Sequence, residues 1–339
     1  MLLRTAGLTA GLAAGLLGNG AGAGTLVSPH TRSSHDALTA HAAEIPDAPP
    51  AVSARAVAAL DAATGTLVYG RRAFDELPPA SLTKMATALV ALERAGVDHP
   101  VRPTRDYDVI PTIIGIGAGD VLRLEDALFG LLLNSGNDAA LAIAESVADG
   151  SVARFVGWMN DLAHGLGLEQ THFANPHGLD VPDHFSSAYD MAQIGRALMR
   201  APVLARIVGA QRHVVEGPPR WAFRNTNPLL GILSGADGIK TGFEDRAGRC
   251  LASTAMRDGR RVVSVVLNSA DIARDSGIVL DAAFEREELG GRRMDDALAG
   301  SGAGRVRMSW LRADLDGAPD APRSTYRAAQ LLKAPPNGG

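Results

Sequence analysis

Strand-like segments stand near both ends of this chain and helical spacing fills its middle, so the two ends must meet to complete one sheet. Residues 54–60 and 66–69 are short apolar runs joined by Asp61-Ala-Ala-Thr-Gly65, a turn composition that predicts a β-hairpin. Near the other end, 238–243, 250–256 and 261–267 read as three strands separated by Gly248 and by Asp258-Gly259, an antiparallel meander. Joining hairpin and meander predicts one mixed sheet with helices against it, and residues 272–287 supply a last helix. Between these ends, Pro78-Pro79 breaks the chain. From Ser81 the apolar residues Leu82, Met85, Leu89 and Leu92 then recur at helical spacing until Gly96. That is an amphipathic helix with Ser81 in its first turn. Further helices are predicted at 123–133, 138–147, 159–167 and 188–199. The tetrapeptide Asn134-Ser-Gly-Asn137 interrupts the first two, and a loop containing Asn175-Pro-His-Gly-Leu179 separates the last two.

The flanks read differently. Met1-Leu-Leu-Arg4, a Leu/Ala/Gly stretch and small residues at Ala21-Gly-Ala23 predict a signal peptide over 1–23. Its apolar run is too short to span a bilayer. Residues 24–51 have a linker composition, 52–289 form the predicted folded domain, and 290–339 are a Gly-, Pro- and Asp-rich tail without a predicted structure. The expected address is therefore outside the cytoplasm, in the periplasm or cell wall, with loose membrane association left open. A net charge of −4 and the absence of a long basic run exclude a nucleic-acid footprint. One cysteine, Cys250, leaves no thiolate cluster for a metal. His172 and His177 share a loop without zinc-ligand spacing, so no metal or other cofactor is expected.

The chemistry starts from Ser81 and Lys84. Three residues apart at a helix start, their side chains share one face. On its own such a pair is more often a helix cap beside a solvated lysine. The lysine count changes that weighting: of 33 Lys and Arg, three are lysine, Lys84, Lys240 and Lys333, leaving thirty arginines. Arginine cannot give up its proton in a protein, whereas lysine can, so a base must remain lysine in a chain that otherwise uses arginine. Two more short motifs follow in order. Ser135-Gly136-Asn137 places a hydroxyl and an amide in a break between helices. Lys240-Thr241-Gly242 lies on a predicted strand, where Gly242 is expected to let a substrate backbone approach closely and Lys240 and Thr241 to face one cleft.

The ordered set Ser-x-x-Lys, Ser-x-Asn, Lys-Thr-Gly resembles the active sites of penicillin-binding proteins and serine β-lactamases. The wider text Pro79-Ala-Ser81-Leu-Thr-Lys84-Met85, Asn134-Ser-Gly-Asn-Asp-Ala-Ala140, Asn175-Pro-His-Gly-Leu179 and Asp237-Gly-Ile-Lys240-Thr-Gly242 resembles the D-alanyl-D-alanine carboxypeptidases. These are low-molecular-mass penicillin-binding proteins of serine peptidase family S11, and the resemblance runs from about Val52 to Glu287. It implies an α+β transpeptidase fold, an antiparallel sheet flanked by helices with an inserted all-α region. It also implies a peptidoglycan stem peptide ending in D-Ala-D-Ala as substrate, and β-lactam antibiotics as covalent inhibitors. By the same resemblance Ser81 is the nucleophile, Lys84 its base and Ser135 a proton relay. Asn137 holds the peptide amide, Lys240, Thr241 and Gly242 receive the carboxylate end, and the backbone amides of Ser81 and Phe243 form the oxyanion hole. To act as a base, Lys84 must be neutral, its pKa well below the ordinary value of about 10.4.

Three other readings are weaker. A class A β-lactamase carries Asp where this chain has Gly136, and pairs a deacylating Glu with an Asn four residues on. Here Phe173 holds that place after Glu169. A D,D-endopeptidase shares all three motifs and stays open. A catalytically inert wall-binding module predicts a broken motif, and none is broken. Relatives often add a C-terminal β domain and a membrane anchor, for which the residues after Glu287 are too few in the usual form.

Overall fold

The computed structural model describes residues 52–109 and 111–290, with side chains to residue 286. The expected signal peptide, linker and C-terminal tail lie outside the described residues. Five strands form the main sheet: β1 (Ala56–Asp61), β2 (Leu67–Arg71), β7 (Ala236–Glu244), β8 (Gly248–Arg257) and β9 (Arg260–Ser269). Their order is β2-β1-β9-β8-β7. Every pairing is antiparallel, so the sheet is not the mixed one that segment order suggested. The N-terminal hairpin docks through β1 onto β9, register Ala58↔Val265, which closes the chain's two ends onto each other. Asp258 and Gly259, both at positive φ, make the tight β8–β9 turn that Asp-Gly sequences favour.

Alternation along these strands sorts the core into two layers. Ala56, Ala58, Leu60, Val263, Val265 and Leu267 join the large helical core, which includes Met85 and Leu89. Val57, Ala59, Val262 and Val266 face the opposite way, onto Val279, Leu280 and Phe284 of the last helix (Ile272–Gly290). Both faces of β1 are consequently buried, and its sequence is continuously apolar up to Asp61.

The helical region consists of α1 (Lys84–Ala95), α2 (Leu124–Leu132), α3 (Asn137–Val147), α4 (Val152–Gly165), α5 (Ala188–Met199) and α6 (Pro202–Gly209), before the last helix, α7. Helix α1 packs against α2, α3, α4 and α5, and every residue from Lys84 to Leu92 is buried. It is a central helix, not an amphipathic one. Ala86, Ala88 and Ala91 on its other faces are small enough for neighbours to approach. Helix α4 begins seven residues before the predicted start, at the cap formed when Ser151 Oγ accepts the Arg154 N–H, and it buries Phe155, Met159 and Ala163 at successive turns. The sequence reading did not include α6, the short pair β3 (Pro100–Val101) with β4 (Leu122–Arg123), or the hairpin β5 (Arg212–Val215) with β6 (Trp221–Arg224). Among the described residues, no helix is long and apolar enough to cross a membrane.

Candidate active site

Ser81 sits in a 3-10 turn, Ala80–Thr83, that leads into α1, and not in the first α-helical turn. The chain enters it through Ala80 at φ 49°, a left-handed conformation that turns the backbone sharply just before Ser81. Three contacts hold that conformation. Thr83 Oγ1 donates to the Ala80 carbonyl at 2.8 Å. His184 Nδ1 accepts the Ala174 N–H at 3.0 Å, which leaves the ring's proton on Nε2, 2.9 Å from Thr83 Oγ1. Gly178, at φ 94°, lies so close that an added Cβ would stand 2.0 Å from the Ala80 oxygen. Burial lowers His184 to about 4, with smaller contributions from His172 and Lys84, so its ring is neutral near pH 7.

Lys84 is fully buried. Its Nζ lies 2.8 Å from Ser81 Oγ, 2.7 Å from Asn137 Oδ1 and 2.6 Å from the His177 carbonyl oxygen. Burial drives its pKa well below the usual lysine value, and the nearby Lys240 charge adds to this, while Glu244 and Asp138 pull weakly the other way. A neutral amine fits these three contacts. Its two N–H bonds go to the Asn137 and His177 oxygens, which can only accept, and its lone pair is left facing the Ser81 hydroxyl. The acceptor arrangement thus directs basicity at a single proton. His177 supplies this acceptor from its backbone, while its ring is lowered to about 3 by burial first and then by Lys84 and His184.

Ser135, at φ 66° and 9% exposed, occupies the break between α2 and α3. Gly136 must be glycine there, because a Cβ would meet Ile114 Cγ2 at 2.8 Å and Asp138 Oδ1 at 2.9 Å. Asn137 opens α3 and is tied to Lys84 through Oδ1. The carboxylate of Asp138 accepts the N–H groups of Ile114, Gly115, Ile116 and Ala139, fastening the 114–116 segment beside the second motif.

The third motif lies on β7, the sheet's edge strand. Gly242 packs on the serine turn, where a Cβ would be 3.1 Å from Ala80 Cβ and 3.2 Å from the Ser81 nitrogen. Its absence of a side chain is what lets β7 lie against the nucleophile. As an edge strand, β7 leaves some backbone N–H groups unused by the sheet, which is where Phe243, 60% exposed, follows Gly242. Along β7, Lys240 is buried and Thr241 is less so, as alternation on a strand requires. Lys240 is buried, its Nζ donating to the Thr241 carbonyl at 2.9 Å, and burial lowers it to about 7. Its charge lowers Lys84 further. Thr241 is less buried, and its hydroxyl lies 2.6 Å from that of Thr226.

The fold thus gathers all three motifs at the serine turn. Thr83, Asp138, His184, Gly178 and the His177 carbonyl serve the same place without having been assigned roles from sequence. The loop holding His177 and Gly178 stood out as text, but a backbone carbonyl and a steric vacancy leave no side-chain signature. His172 and His177 do not converge on a shared ligand: His172 Nδ1 lies 2.5 Å from the Asp183 carbonyl, and the His177 Nδ1 accepts from Leu179 N–H.

A family model described as D-alanyl-D-alanine carboxypeptidase matches residues 42–271. The chain is 31% identical over 246 residues to the D-alanyl-D-alanine carboxypeptidase DacF of Bacillus subtilis, covering 69% of this chain and 63% of that protein. It is 35% identical over 245 residues to DacC of Escherichia coli, covering 69% and 61%. The match thus spans less than two thirds of the length of these curated relatives. Against the D-alanyl-D-alanine carboxypeptidase of Streptomyces sp. K15, identity is 32% over 247 residues, covering 67% of this chain and 85% of that one. Among solved structures, the Streptomyces K15 DD-transpeptidase superposes with a TM-score of 0.64 at 29% identity, covering 71% of this chain and all of that one. A D-alanyl-D-alanine carboxypeptidase from Mycobacterium tuberculosis H37Rv gives 0.65 at 31%, covering 71% and 93%.

Proposed function

The chain belongs to the D-alanyl-D-alanine carboxypeptidase family, and from that premise we propose that it removes the terminal D-alanine of peptidoglycan stem peptides through an acyl ester on Ser81. The observation that carries this reading is the 2.8 Å contact between Ser81 Oγ and a buried Lys84 whose other two contacts are to fixed acceptors.

Lys84 Nζ takes the Ser81 proton as Oγ attacks the carbonyl carbon of the penultimate D-alanine. The backbone amides of Ser81 and Phe243 receive the developing oxyanion on the side where Gly242 brings β7 against the serine turn. Collapse breaks the C–N bond, and the proton held on Lys84 passes through Ser135 to the leaving amine. Lys240 and Thr241 draw in the carboxylate of the departing D-alanine, and Asn137 holds the peptide amide. Water then hydrolyses the ester. β-Lactams enter by the same attack and stay bound as esters of Ser81. Residues 1–23 act as a secretory signal and 24–51 as a linker, delivering the 52–289 domain to the periplasm or cell wall.

The test is release of free D-alanine from diacetyl-L-Lys-D-Ala-D-Ala by the full chain and by Ser81→Ala. Release that disappears in the variant sustains the reading. No release from folded parent protein would sink it.

A further inference from the structure

Thr226 stands outside the three motifs yet joins two of them. Its hydroxyl lies 2.6 Å from that of Thr241 in the third motif. The same oxygen lies 3.3 Å from the Leu133 carbonyl, to which it can donate, at the end of α2 and two residues before Ser135. Next to it, Asn134 Oδ1 accepts the Arg224 backbone N–H at 2.8 Å. The stretch that leaves β6 is thereby tied to the second motif and to the third, across the end of the site where the leaving group departs on the reading above.

Thr226 is exposed, and its neighbours fix it in place. Asn225 Nδ2 donates to the Val208 and Ala210 carbonyls, both at 2.9 Å, and Asn225 Oδ1 accepts the Asn227 N–H at 2.9 Å. The Asn225 N–H donates to the Gln211 carbonyl at 2.9 Å. Asn227 Oδ1 in turn accepts the N–H of buried Leu229 at 3.0 Å. Two asparagine side chains thus hold the backbone on either side of one surface threonine, whose hydroxyl meets a motif residue.

A hydroxyl carries one proton and can also accept. Between two hydroxyls 2.6 Å apart one proton is shared, so the pair has two settings. In the first, Thr241 donates to Thr226, which donates on to Leu133, and Thr241 turns only lone pairs toward the cleft. That setting repels a carboxylate. In the second, Thr226 donates to Thr241, whose own proton is then free for a carboxylate oxygen. At 3.3 Å the Leu133 contact is long for an O–H donor, so little is lost when the first setting gives way to the second. A bond donated into Thr241 also polarises its O–H and strengthens the bond that it makes.

We propose that Thr226 is a positioning residue for the substrate carboxylate: its hydroxyl donates to Thr241 Oγ1 and so turns the Thr241 proton toward the carboxylate of the terminal D-alanine. The inference rests on the carboxypeptidase reading for the identity of that carboxylate. No bond to Thr226 forms or breaks in the reaction. The pair discriminates a carboxylate from its neutral amide, because an amide end offers both a donor and an acceptor and meets either setting.

The experiment measures kcat/KM of the full chain on diacetyl-L-Lys-D-Ala-D-Ala and on the same tripeptide ending in D-alaninamide, by release of D-alanine or D-alaninamide. The parent is expected to prefer the carboxylate. Thr226→Val keeps the branched shape and removes the hydroxyl. It should lower kcat/KM on the carboxylate substrate by about three- to tenfold, the loss expected from one hydrogen bond, and stay within about twofold on the amide. Thr226→Ser keeps the hydroxyl and should remain within about twofold of the parent on both. An unchanged preference in Thr226→Val, equal loss on both substrates, or a Thr226→Ser that behaves like Thr226→Val overturns the role of Thr226 and leaves the carboxypeptidase reading standing. So does a parent that processes both substrates equally well. Release of neither product by the folded parent overturns both.

Discussion

Replacing Gly178 with alanine tests how the nucleophile is held, because the added methyl points at backbone. Its Cβ would stand 2.0 Å from the Ala80 oxygen and 2.5 Å from the Ala80 carbonyl carbon, against ordinary contact beginning near 3.4 Å. The two segments must separate by the difference, about 1.4 Å, and neither contact is a flexible side-chain end. Ala80 precedes Ser81, and the residue before Gly178 supplies the carbonyl that fixes Lys84, so nucleophile and base move relative to each other. A misplacement of about 1 Å is enough to lose roughly a hundredfold in rate. The left-handed φ of 94° adds about 1–2 kcal/mol of backbone strain to the folded state. Acylation of Gly178→Ala by a fluorescent penicillin, timed on gels, should therefore slow about a hundredfold or more, with modest loss of thermal stability. Gly167→Ala supplies the control. Its φ is 71°, but nothing lies within 4 Å of its Cβ position, so it bears the strain without the clash. Unchanged acylation in Gly178→Ala, or equal slowing in both variants, would refute the reasoning.

Lys84→Arg puts a permanent cation where the neutral amine stands and cannot accept a proton, so penicillin acylation measured by intact mass should fall by about 10²–10⁴. Thr83→Val removes the link between His184 Nε2 and the Ala80 carbonyl; leaving the ring donor unpaired should lower urea stability by about 1–3 kcal/mol, and slow acylation as well. His177 and His184 are lowered to about 3 and about 4, so the unfolded chain binds protons first as pH falls. Their contribution is complete above about 6.5 and is lost on descent toward those values, about 4 kcal/mol for the pair by pH 5. Asp190, raised to about 6 by burial, runs oppositely and returns about 1 kcal/mol over that interval. Lys84 and Lys240, both lowered by burial, add to the loss in the same direction, so urea unfolding at pH 7.5 and 5 should show a net loss of at least about 3 kcal/mol, and equal stability would contradict the assignment.

The sequence carried the central architecture where one pattern dominated. Short apolar runs bounded by turn residues marked β1 and the meander, and Asp258-Gly259 marked its turn. Helical spacing marked α5 within its observed limits, Ala188–Met199. Packing decided the places where reading and structure part. Helix α1 has an apolar stripe in sequence, but its alanines turned out to be contact surfaces, so it is buried on every side. The hairpin β5–β6 has only four residues in each strand and a Pro218-Pro219 connection, too little for periodicity to register. At the site, Ser81, Lys84, Ser135, Asn137, Lys240, Thr241 and Gly242 were visible as motifs because side-chain chemistry names them. The left-handed Ala80, the His177 carbonyl and the close approach of Gly178 are backbone facts, and they follow only from the fold.

The pH dependence of Ser81 acylation by benzylpenicillin, followed by stopped flow from pH 5 to 10.5, tests the neutral-lysine base most directly. With Lys84 buried beside Lys240, the rate should rise and reach its plateau well below the ordinary lysine value of about 10.4. A rate that climbs tenfold per pH unit up to about 10 would mean that Lys84 is an ordinary ammonium at neutrality, and the account of Ser81 activation would be wrong.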